Sequence, residues 1–213
     1  KAASKLLYEK SGIPTPPYVV LQNGESVETA ACLSRIGLPM VVKPVVGGSS
    51  VGMSIVRTES EFQAALDLAF AEDNAVMLEA YIKGIELTGG VIGNRKLDAL
   101  PLIEIVPDED HAFFDYEAKY TAGVTQEICP ARVDEKITQT AQDYAKKAHQ
   151  ALFCKGYSRT DMILQDGNLF VLETNTIPGM TATSLLPQAA QVGGLSFSRL
   201  LDRLIELSLE NDE

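Results

Sequence analysis

The sequence has few of the residues that form disulfide frameworks, metal clusters or cationic surfaces. Its three cysteines, Cys32, Cys129 and Cys154, are odd in number and far apart, which favours small buried thiols in a reducing compartment. Only 18 lysines and arginines oppose 29 aspartates and glutamates. The resulting net charge of −11 argues against binding to nucleic acid or to anionic membranes. The two histidines, His111 and His149, have no catalytic partner nearby in sequence, and we assign neither a role.

Long hydrophobic runs are also missing. No stretch is long enough to span a membrane, and we find no secretory leader, low-complexity tract or internal repeat. The chain of 213 residues has the composition of a globular protein, with 46% hydrophobic and 22% charged residues. Its length allows one large domain or two small ones.

The order of the predicted elements divides the chain into two parts. The first part combines short helices with strands and extends to about residue 82. The second contains antiparallel strands, a helix that begins at Asp134, a hairpin over 157–174 and a final helix over about 197–209. We therefore predict an α+β fold with a small unit, 1–82, and a larger unit, 83–213. A cleft between two such units is the expected ligand site.

The segment KPVVGGSSVG, residues 43–52, places one lysine before a loop of small residues. This loop is either a flexible connector or a cradle whose backbone N–H groups approach phosphate oxygens. The lysine precedes the glycines and a strand follows them, which argues against a Walker-type nucleotide site. Lys43 is either a phosphate ligand or a strand-end lysine whose ammonium group reaches water.

The segment YSRTDMILQDGNLFVLETN carries four polar residues at strand spacing. Arg159 and Asp161 share one face of a strand, and Glu173 and Asn175 repeat that spacing on the next strand. Carboxylate and amide oxygens suit Mg²⁺, and an arginine beside them can neutralise a phosphoryl group in transfer. The alternative is an ion pair on an exposed sheet face.

A shared metal site requires a particular turn in this hairpin. In an antiparallel hairpin the numbers of two paired residues always have the same sum. Asp161 and Glu173, both odd-numbered, lie on one face only if that sum is even. A two-residue Asp166-Gly167 turn would give an odd sum and separate the two carboxylates. We therefore predict a three-residue turn, 165–167, with Gly167 in the left-handed conformation.

Two further segments are candidates for ligand binding. Glu79 and Glu86 flank a break at Lys83-Gly84. A hinge there, with its backbone free of strand hydrogen bonds, could bind the edge of an adenine ring, and a nearby carboxylate could accept hydrogen bonds from the ribose hydroxyls. The alternative is a pair of surface glutamates at strand ends. The polar loop 107–125 contains DYEAKY, and loops of this length in compact domains are usually functional or disordered.

Together, KPVVGGSSVG, DYEAKY followed by CPA, and GYSRTDMIL with LETNTIPGMTATSL resemble the ATP-grasp enzymes, and among them the D-alanine–D-alanine ligases. The resemblance covers essentially the whole chain. It implies two subdomains that enclose a nucleotide cleft, and ATP with Mg²⁺ or Mn²⁺ as cofactors. One D-alanine would be phosphorylated and a second would attack the acyl phosphate, in the synthesis of peptidoglycan precursors. It also implies a cytoplasmic enzyme that is a homodimer at full length.

The resemblance implies a role for individual residues by position. Those matched to catalysis are Arg159, Lys119 and Ser49. Those matched to ATP binding are Lys1, Lys43, Ser50, Glu79, Tyr81, Ile82, Glu86, Lys119 and Leu172. The metal ligands correspond to Asp161, Glu173 and Asn175. The site for the second D-alanine corresponds to Tyr120, Gly179, Ser184 and Leu185.

Two departures from the family pattern modify this expectation. Ala80 occupies a hinge position where relatives often carry lysine. Family members also have an N-terminal domain before the position of Lys1, so we expect a truncated form with little or no ligase activity alone. Two alternatives remain open. One is another ATP-grasp carboxylate–amine ligase, such as a D-alanine–D-lactate or amino-acid ligase, and the other is a non-catalytic ATP-binding module.

Overall fold

The computed structural model describes residues 1–25, 28–48, 50–107 and 125–210. The helices in these ranges are α1 (Ala2–Lys10), α2 (Thr29–Ile36), α3 (Phe62–Glu72), α4 (Glu135–Ala151), α5 (Leu185–Val192) and α6 (Phe197–Leu209). The strands are β1 (Tyr18–Gln22), β2 (Met40–Pro44), β3 (Ser54–Val56), β4 (Ala75–Ala80), β5 (Ile85–Gly93), β6 (Leu97–Ala99), β7 (Ile103–Pro107), β8 (Thr125–Ile128), β9 (Tyr157–Gln165) and β10 (Asn168–Asn175). Within the described residues, no helix combines the length and hydrophobicity needed to cross a bilayer.

The first compact unit contains residues 1–3 and 16–83 of the described chain. Its sheet is antiparallel, in the order β1-β4-β2-β3. The central strands carry buried, continuous apolar runs, 40–42 and 76–78, and α2 and α3 cover the face that carries Met40, Val42, Val76 and Leu78. The predicted capping box is formed: the Glu61 carboxylate accepts the Thr58 N–H at 3.3 Å, at the start of a 3-10 turn (Glu59–Glu61) that leads into α3.

The second unit contains residues 4–15, 84–107 and 125–210. Its antiparallel sheet has the order β10-β9-β5-β7-β8, and β6 pairs with β5. Asp134 caps α4 by accepting the Ile137 N–H at 2.8 Å. α4 lies close against β5 because Gly89 has no side chain: a Cβ there would come within 3.2 Å of the Ala145 Cβ. The antiparallel sheets and the helices that cover them confirm the α+β class predicted from the sequence.

The sequence assigned residues 1–82 to one unit, whereas residues 4–15 group with the second. The reason lies in the core: Tyr8 and Ile13 are 0% and 2% exposed and pack with residues of the second unit's sheet and of α4. Amphipathic spacing predicts a helix at this position but does not say which sheet buries it. The sequence pattern predicts no helix between the hairpin and the final helix, whereas the structure has α5 there.

Candidate active site

The β9–β10 hairpin has a two-residue turn, so the three-residue turn predicted from the sequence is wrong. Gln165 pairs with Asn168, which leaves only Asp166 and Gly167 in the turn. Their φ angles, 48° and 79°, are both positive, as a type I′ turn requires. This turn is the one that the sequence reasoning expected to separate the two carboxylates.

A β-bulge at Leu172 restores the register that the turn alone would break. Pairing runs in step from the turn as far as Val171 opposite Met162, and it resumes with Glu173 opposite Asp161. Leu172 is therefore an extra residue on β10, and every side chain after it changes face. The two carboxylates end on the same face, through a bulge rather than through a longer turn.

Asp161 is held by two donors on this face. The Arg159 guanidinium donates from Nε to Oδ1 at 2.9 Å and from Nη2 to Oδ2 at 2.8 Å. The Thr88 hydroxyl donates to Oδ1 at 2.6 Å. Thr88 lies directly opposite Asp161 on β5, and sequence reasoning missed it because no local pattern shows that β5 is the neighbour of β9.

Three carboxylates act on the Arg159 charge. Its guanidinium is largely buried, which opposes the charged form, but Asp161, Glu173 and Glu86 raise its pKa above the ordinary value. Glu86 lies on β5 two residues before Thr88 and so points to the same face. We call this group the polar face; its members are Glu86, Thr88, Arg159, Asp161, Glu173 and Asn175.

The polar face has the oxygen donors that a hard cation needs, although not a complete shell. Within the described residues, no group of three His, Cys, Asp or Glu could hold a metal ion. Asp161 and Glu173 supply two carboxylates, and Asn175 supplies an amide oxygen that accepts the Ile177 N–H at 3.1 Å. Mg²⁺ typically takes one or two carboxylates and completes its shell with water and substrate phosphate. The donor set therefore fits Mg²⁺, and the metal role of these residues stays a prediction.

In the first unit, two residues predicted to bind ATP pair with each other. The Lys43 Nζ lies 2.5 Å from the Glu79 Oε2, and the two side chains are only 13% and 3% exposed. Lys43 is therefore not a lysine whose ammonium simply reaches water, and Glu79 is not a surface glutamate. β2 and β4 are neighbours in the sheet, which brings residues 36 positions apart into contact.

Lys1 contacts the glycine loop that follows β2. Its Nζ donates to the carbonyl oxygens of Pro44 and Gly47, both at 2.9 Å. Gly52 closes the loop with a φ of 68°, and a Cβ there would come within 2.8 Å of the Glu72 side chain. Ser50 is also left-handed, with a φ of 59°. The structure thus brings Lys1 to the loop in which Ser50 lies.

The backbone at the end of β4 makes two hydrogen bonds to the segments that precede β1 and β2. The Ala80 N–H donates to the Pro17 carbonyl at 2.9 Å, and the Tyr81 N–H donates to the Pro39 carbonyl at 3.2 Å. Both bonds lie before the Lys83-Gly84 break and outside the strand pairing, so the adenine-binding hinge stays a prediction. Tyr81 and Ile82 are half-buried and follow directly on β4.

The residues predicted to bind a second substrate meet at the start of α5. A Cβ on Gly179 would lie 2.9 Å from the Ser184 Oγ, so the backbone approaches this hydroxyl as only glycine allows. The same Oγ accepts the Thr181 N–H at 3.1 Å. Ser184 is the N-cap residue of α5, and Leu185 is the first residue of that helix.

The chain matches a known family over nearly its whole length. The family described as "D-ala D-ala ligase C-terminus" matches residues 7–206. This chain belongs to the D-alanine–D-alanine ligase family. The D-alanine–D-alanine ligase of Syntrophobacter fumaroxidans is 57% identical over 211 residues, which are 99% of this chain and 68% of that protein.

Solved structures of ligases have the same fold. The D-alanine–D-alanine ligase from Bacillus anthracis complexed with ATP superimposes with a TM-score of 0.82 at 34% identity, over 97% of this chain and 64% of that one. The VanG D-Ala:D-Ser ligase from Enterococcus faecalis gives 0.85 at 36% identity, over 97% and 60%. The fold of this D-alanine–D-alanine ligase family member is therefore the ATP-grasp fold. The chain spans about two thirds or less of the length of these relatives.

Most of the residues assigned by resemblance fall in the described parts of this ligase-family chain. Arg159, Asp161 and Glu173 lie together on the polar face, and Lys43 lies against Glu79. Three assigned residues lie outside the described residues: Ser49, Lys119 and Tyr120. Their roles stay predictions.

Proposed function

We propose that this chain forms the ATP-binding and catalytic part of a D-alanine–D-alanine ligase. The observation that carries the proposal is the register of the β9–β10 hairpin, in which the Leu172 bulge places Glu173 opposite Asp161, beside Arg159. In a chain of this family, such a face suits a Mg²⁺-dependent phosphoryl transfer.

The reaction uses ATP to activate one carboxylate and then forms an amide bond. The γ-phosphoryl group moves from ATP to the carboxylate of the first D-alanine, which releases ADP and gives an acyl phosphate. The amine of the second D-alanine attacks the acyl carbon, the carbon–oxygen bond to phosphate breaks, and the amine loses a proton. The protein contributes positioning and charge stabilisation. Arg159 would stabilise the negative charge that develops in this step.

Asp161, Glu173 and Asn175 would hold the metal ion through their side-chain oxygens. When bound, Mg²⁺ neutralises charge on the phosphates in transfer. Asp161 already engages Arg159 with both oxygens. A carboxylate has about four lone-pair positions, so Asp161 can keep this contact while it binds a cation. Thr88 would fix the orientation of Asp161 in the same way with or without metal.

Several residues would bind the nucleotide. Lys1 and Lys43 would contact the phosphates, covered by the loop that contains Ser49 and Ser50, with Lys119 closing on the γ-phosphate side. The hinge residues Glu79, Tyr81 and Ile82 would bind the adenine, Leu172 would pack against it, and Glu86 would accept hydrogen bonds from the ribose. A phosphate on Lys43 would have to compete with Glu79 for its ammonium group.

The second D-alanine would bind near Ser184, with Tyr120, Gly179 and Leu185 around it. The similarity to a D-Ala:D-Ser ligase makes D-serine a second candidate for this position. Because the substrates are those of peptidoglycan precursor synthesis, we also propose that the protein acts in the cytoplasm, and that its full-length form is a homodimer.

The test measures phosphate release from Mg-ATP, with D-alanine, D-serine or D-lactate as the second substrate. It uses the chain alone and the chain fused to the part of the Syntrophobacter fumaroxidans relative that the alignment leaves out. We expect D-alanine-dependent phosphate release from the fused protein, and we expect Asp161→Asn to abolish it. The control is Asp166→Asn, which removes the same charge from the exposed turn of the same hairpin, where asparagine tolerates a positive φ.

The products decide between the alternatives. Faster turnover with D-serine than with D-alanine would assign D-serine as the amine that attacks the acyl phosphate. Faster turnover with D-lactate would assign a hydroxyl group as the attacking group. ATP binding without turnover in the fusion protein would leave a non-catalytic ATP-binding module. Equal activity of Asp161→Asn and Asp166→Asn would contradict the role of the polar face.

A further inference from the structure

Helix α1 carries two polar side chains into the core of the second unit. Lys5 is 1% exposed and Tyr8 is 0% exposed. Tyr8 packs with Val171, Met162 and the apolar side of α4. Burial of an ammonium group is costly, and an apolar residue of similar size would stabilise a core as well or better. What buried polar groups can supply instead is a unique register.

Both side chains contact β10, on either side of the bulge. The Lys5 ammonium donates to the Thr15 hydroxyl and, at 3.4 Å, to the Val171 carbonyl, immediately before Leu172. The Tyr8 hydroxyl donates to the Thr174 Oγ1 at 2.8 Å, two residues after Leu172. Burial raises the pKa of Tyr8 to about 12, so this phenol stays a donor at physiological pH.

The segment after α1 adds a backbone bond at the same place. The Val171 N–H donates to the Pro14 carbonyl at 2.8 Å. Beyond the bulge, the Thr174 Oγ1 lies 3.0 Å from the Thr160 Oγ1 of β9, and Thr160 is fully buried. Val171, which is 0% exposed within the core, and Thr174 therefore both face the core side of the sheet, although a regular strand would turn residues three apart to opposite faces.

The alternative register shows what these contacts exclude. If the pairing set by the turn continued without a bulge, Glu173 would lie opposite Thr160, and Leu172 would lie opposite Asp161. Glu173 would then point into the core, and Thr174 would point away from Tyr8. The Tyr8–Thr174 hydrogen bond exists only in the bulged register. Lys5 contacts Val171, which still has the register that the turn sets, and Tyr8 contacts Thr174, which has the shifted register. The extra residue of β10 must therefore lie between Val171 and Thr174.

We propose that Lys5 and Tyr8 are positioning residues, which hold the Leu172 bulge and thereby keep Glu173 opposite Asp161. This inference rests on the proposed function, since the pair matters to the reaction only if it binds the metal ion. The hydrogen bonds of Lys5 and Tyr8 reach Val171 and Thr174, which lie on either side of the bulge. Their effect on the metal site passes through the backbone of β10.

The experiment compares Tyr8→Phe and Lys5→Met with the unmodified chain by two measurements. The first is the set of cross-strand nuclear Overhauser contacts of Asp161 in the ligand-free protein. We expect contacts to Leu172 to appear at the expense of those to Glu173. The second is the Mg²⁺ concentration that half-saturates ATP binding, which we expect to rise about 10-fold, as when residues that orient metal ligands are removed.

Ala148→Gly is the matched control. Ala148 is 0% exposed in the same core but lies on α4 and takes no part in the hydrogen bonds of Lys5 and Tyr8, and glycine there weakens the helix. This variant should keep the Glu173–Asp161 contacts and the Mg²⁺ dependence. If Lys5→Met does not fold, Tyr8→Phe and Thr174→Val, each of which removes one partner of the same hydrogen bond, decide the matter.

The two measurements separate the two ideas. Unchanged contacts between Asp161 and Glu173 in both Tyr8→Phe and Thr174→Val would overturn the positioning role. Altered contacts with an unaltered Mg²⁺ dependence would support the positioning role and overturn the assignment of Glu173 as a metal ligand. If Ala148→Gly raises the Mg²⁺ requirement as much as Tyr8→Phe and Lys5→Met do, the change comes from general loosening of the core. That result would also overturn the proposal.

Discussion

The contact between Lys43 and Glu79 offers a quantitative test of both the fold and the proposed nucleotide site. Lys43→Met removes the ammonium group and leaves the Glu79 carboxylate, 3% exposed, without the cation that lies 2.5 Å from it. Breaking a buried ion pair in this way typically costs about 3–5 kcal/mol. Because 13% of Lys43 stays exposed, we expect a cost of about 3–4 kcal/mol, in the lower part of that range.

A double-mutant cycle isolates the pair. Lys43→Met combined with Glu79→Gln removes both charges, and this double variant should be within about 1 kcal/mol of the unmodified chain. Stability would be measured by urea denaturation followed by circular dichroism. The double variant should fold well and still bind ATP at least about 10-fold more weakly, because a charge that grips phosphate is worth more than 1.4 kcal/mol.

Two results would refute this reasoning. If Lys43→Met costs less than about 1 kcal/mol, the pair is no stronger than an ordinary surface salt bridge. If the costs of the single changes simply add in the double variant, the two side chains are not coupled. ATP affinity that is unchanged in a folded double variant would remove Lys43 from the proposed phosphate site.

Two further predictions concern the second unit. The Arg132 guanidinium, hydrogen-bonded to Glu104 at 2.6 and 3.0 Å, lowers the pKa of Glu104 in the folded state below its ordinary value of 4.5. Because the folded-state pKa is lowered, the stabilisation is present above about pH 4.5 and is lost as the pH falls through the folded-state pKa. Glu104→Gln should therefore be less stable than the unmodified chain in urea at pH 7 but not at pH 3. A difference in stability that persists at pH 3 would contradict this. Gly179→Ala should displace the Ser184 Oγ, 2.9 Å from the new Cβ, and raise the KM for D-alanine about 10-fold or more while ATP affinity stays the same; an unchanged KM would remove Ser184 from the substrate site.

Local signals in the sequence were sufficient for the ends of several elements. Asp134 caps α4, and the Thr58–Glu61 capping box precedes α3, because a cap is formed by residues within one helical turn. The Asp166-Gly167 dipeptide forms the two-residue turn that it favours intrinsically. The predicted longer turn is wrong because the turn follows this local preference, and the bulge at Leu172 brings Asp161 and Glu173 to one face instead.

The sequence by itself determined which residues could form the polar face, since strand spacing places Arg159 with Asp161 and Glu173 with Asn175. Tertiary structure decided how the two pairs meet. The bulge at Leu172 has no side-chain signature, because an extra residue in a strand depends on what packs behind the strand. Here that is α1, which is more than 160 positions away in the chain.

The same reason explains the contacts that were missed. Thr88 reaches Asp161 because β5 lies beside β9, and Lys43 reaches Glu79 because β2 lies beside β4. Strand order follows from the burial of whole sheets against their helices, which is a property of the assembled core. Spacing along the chain therefore predicts the face of a strand to which a side chain points, and only the packed sheet decides which side chain it meets there.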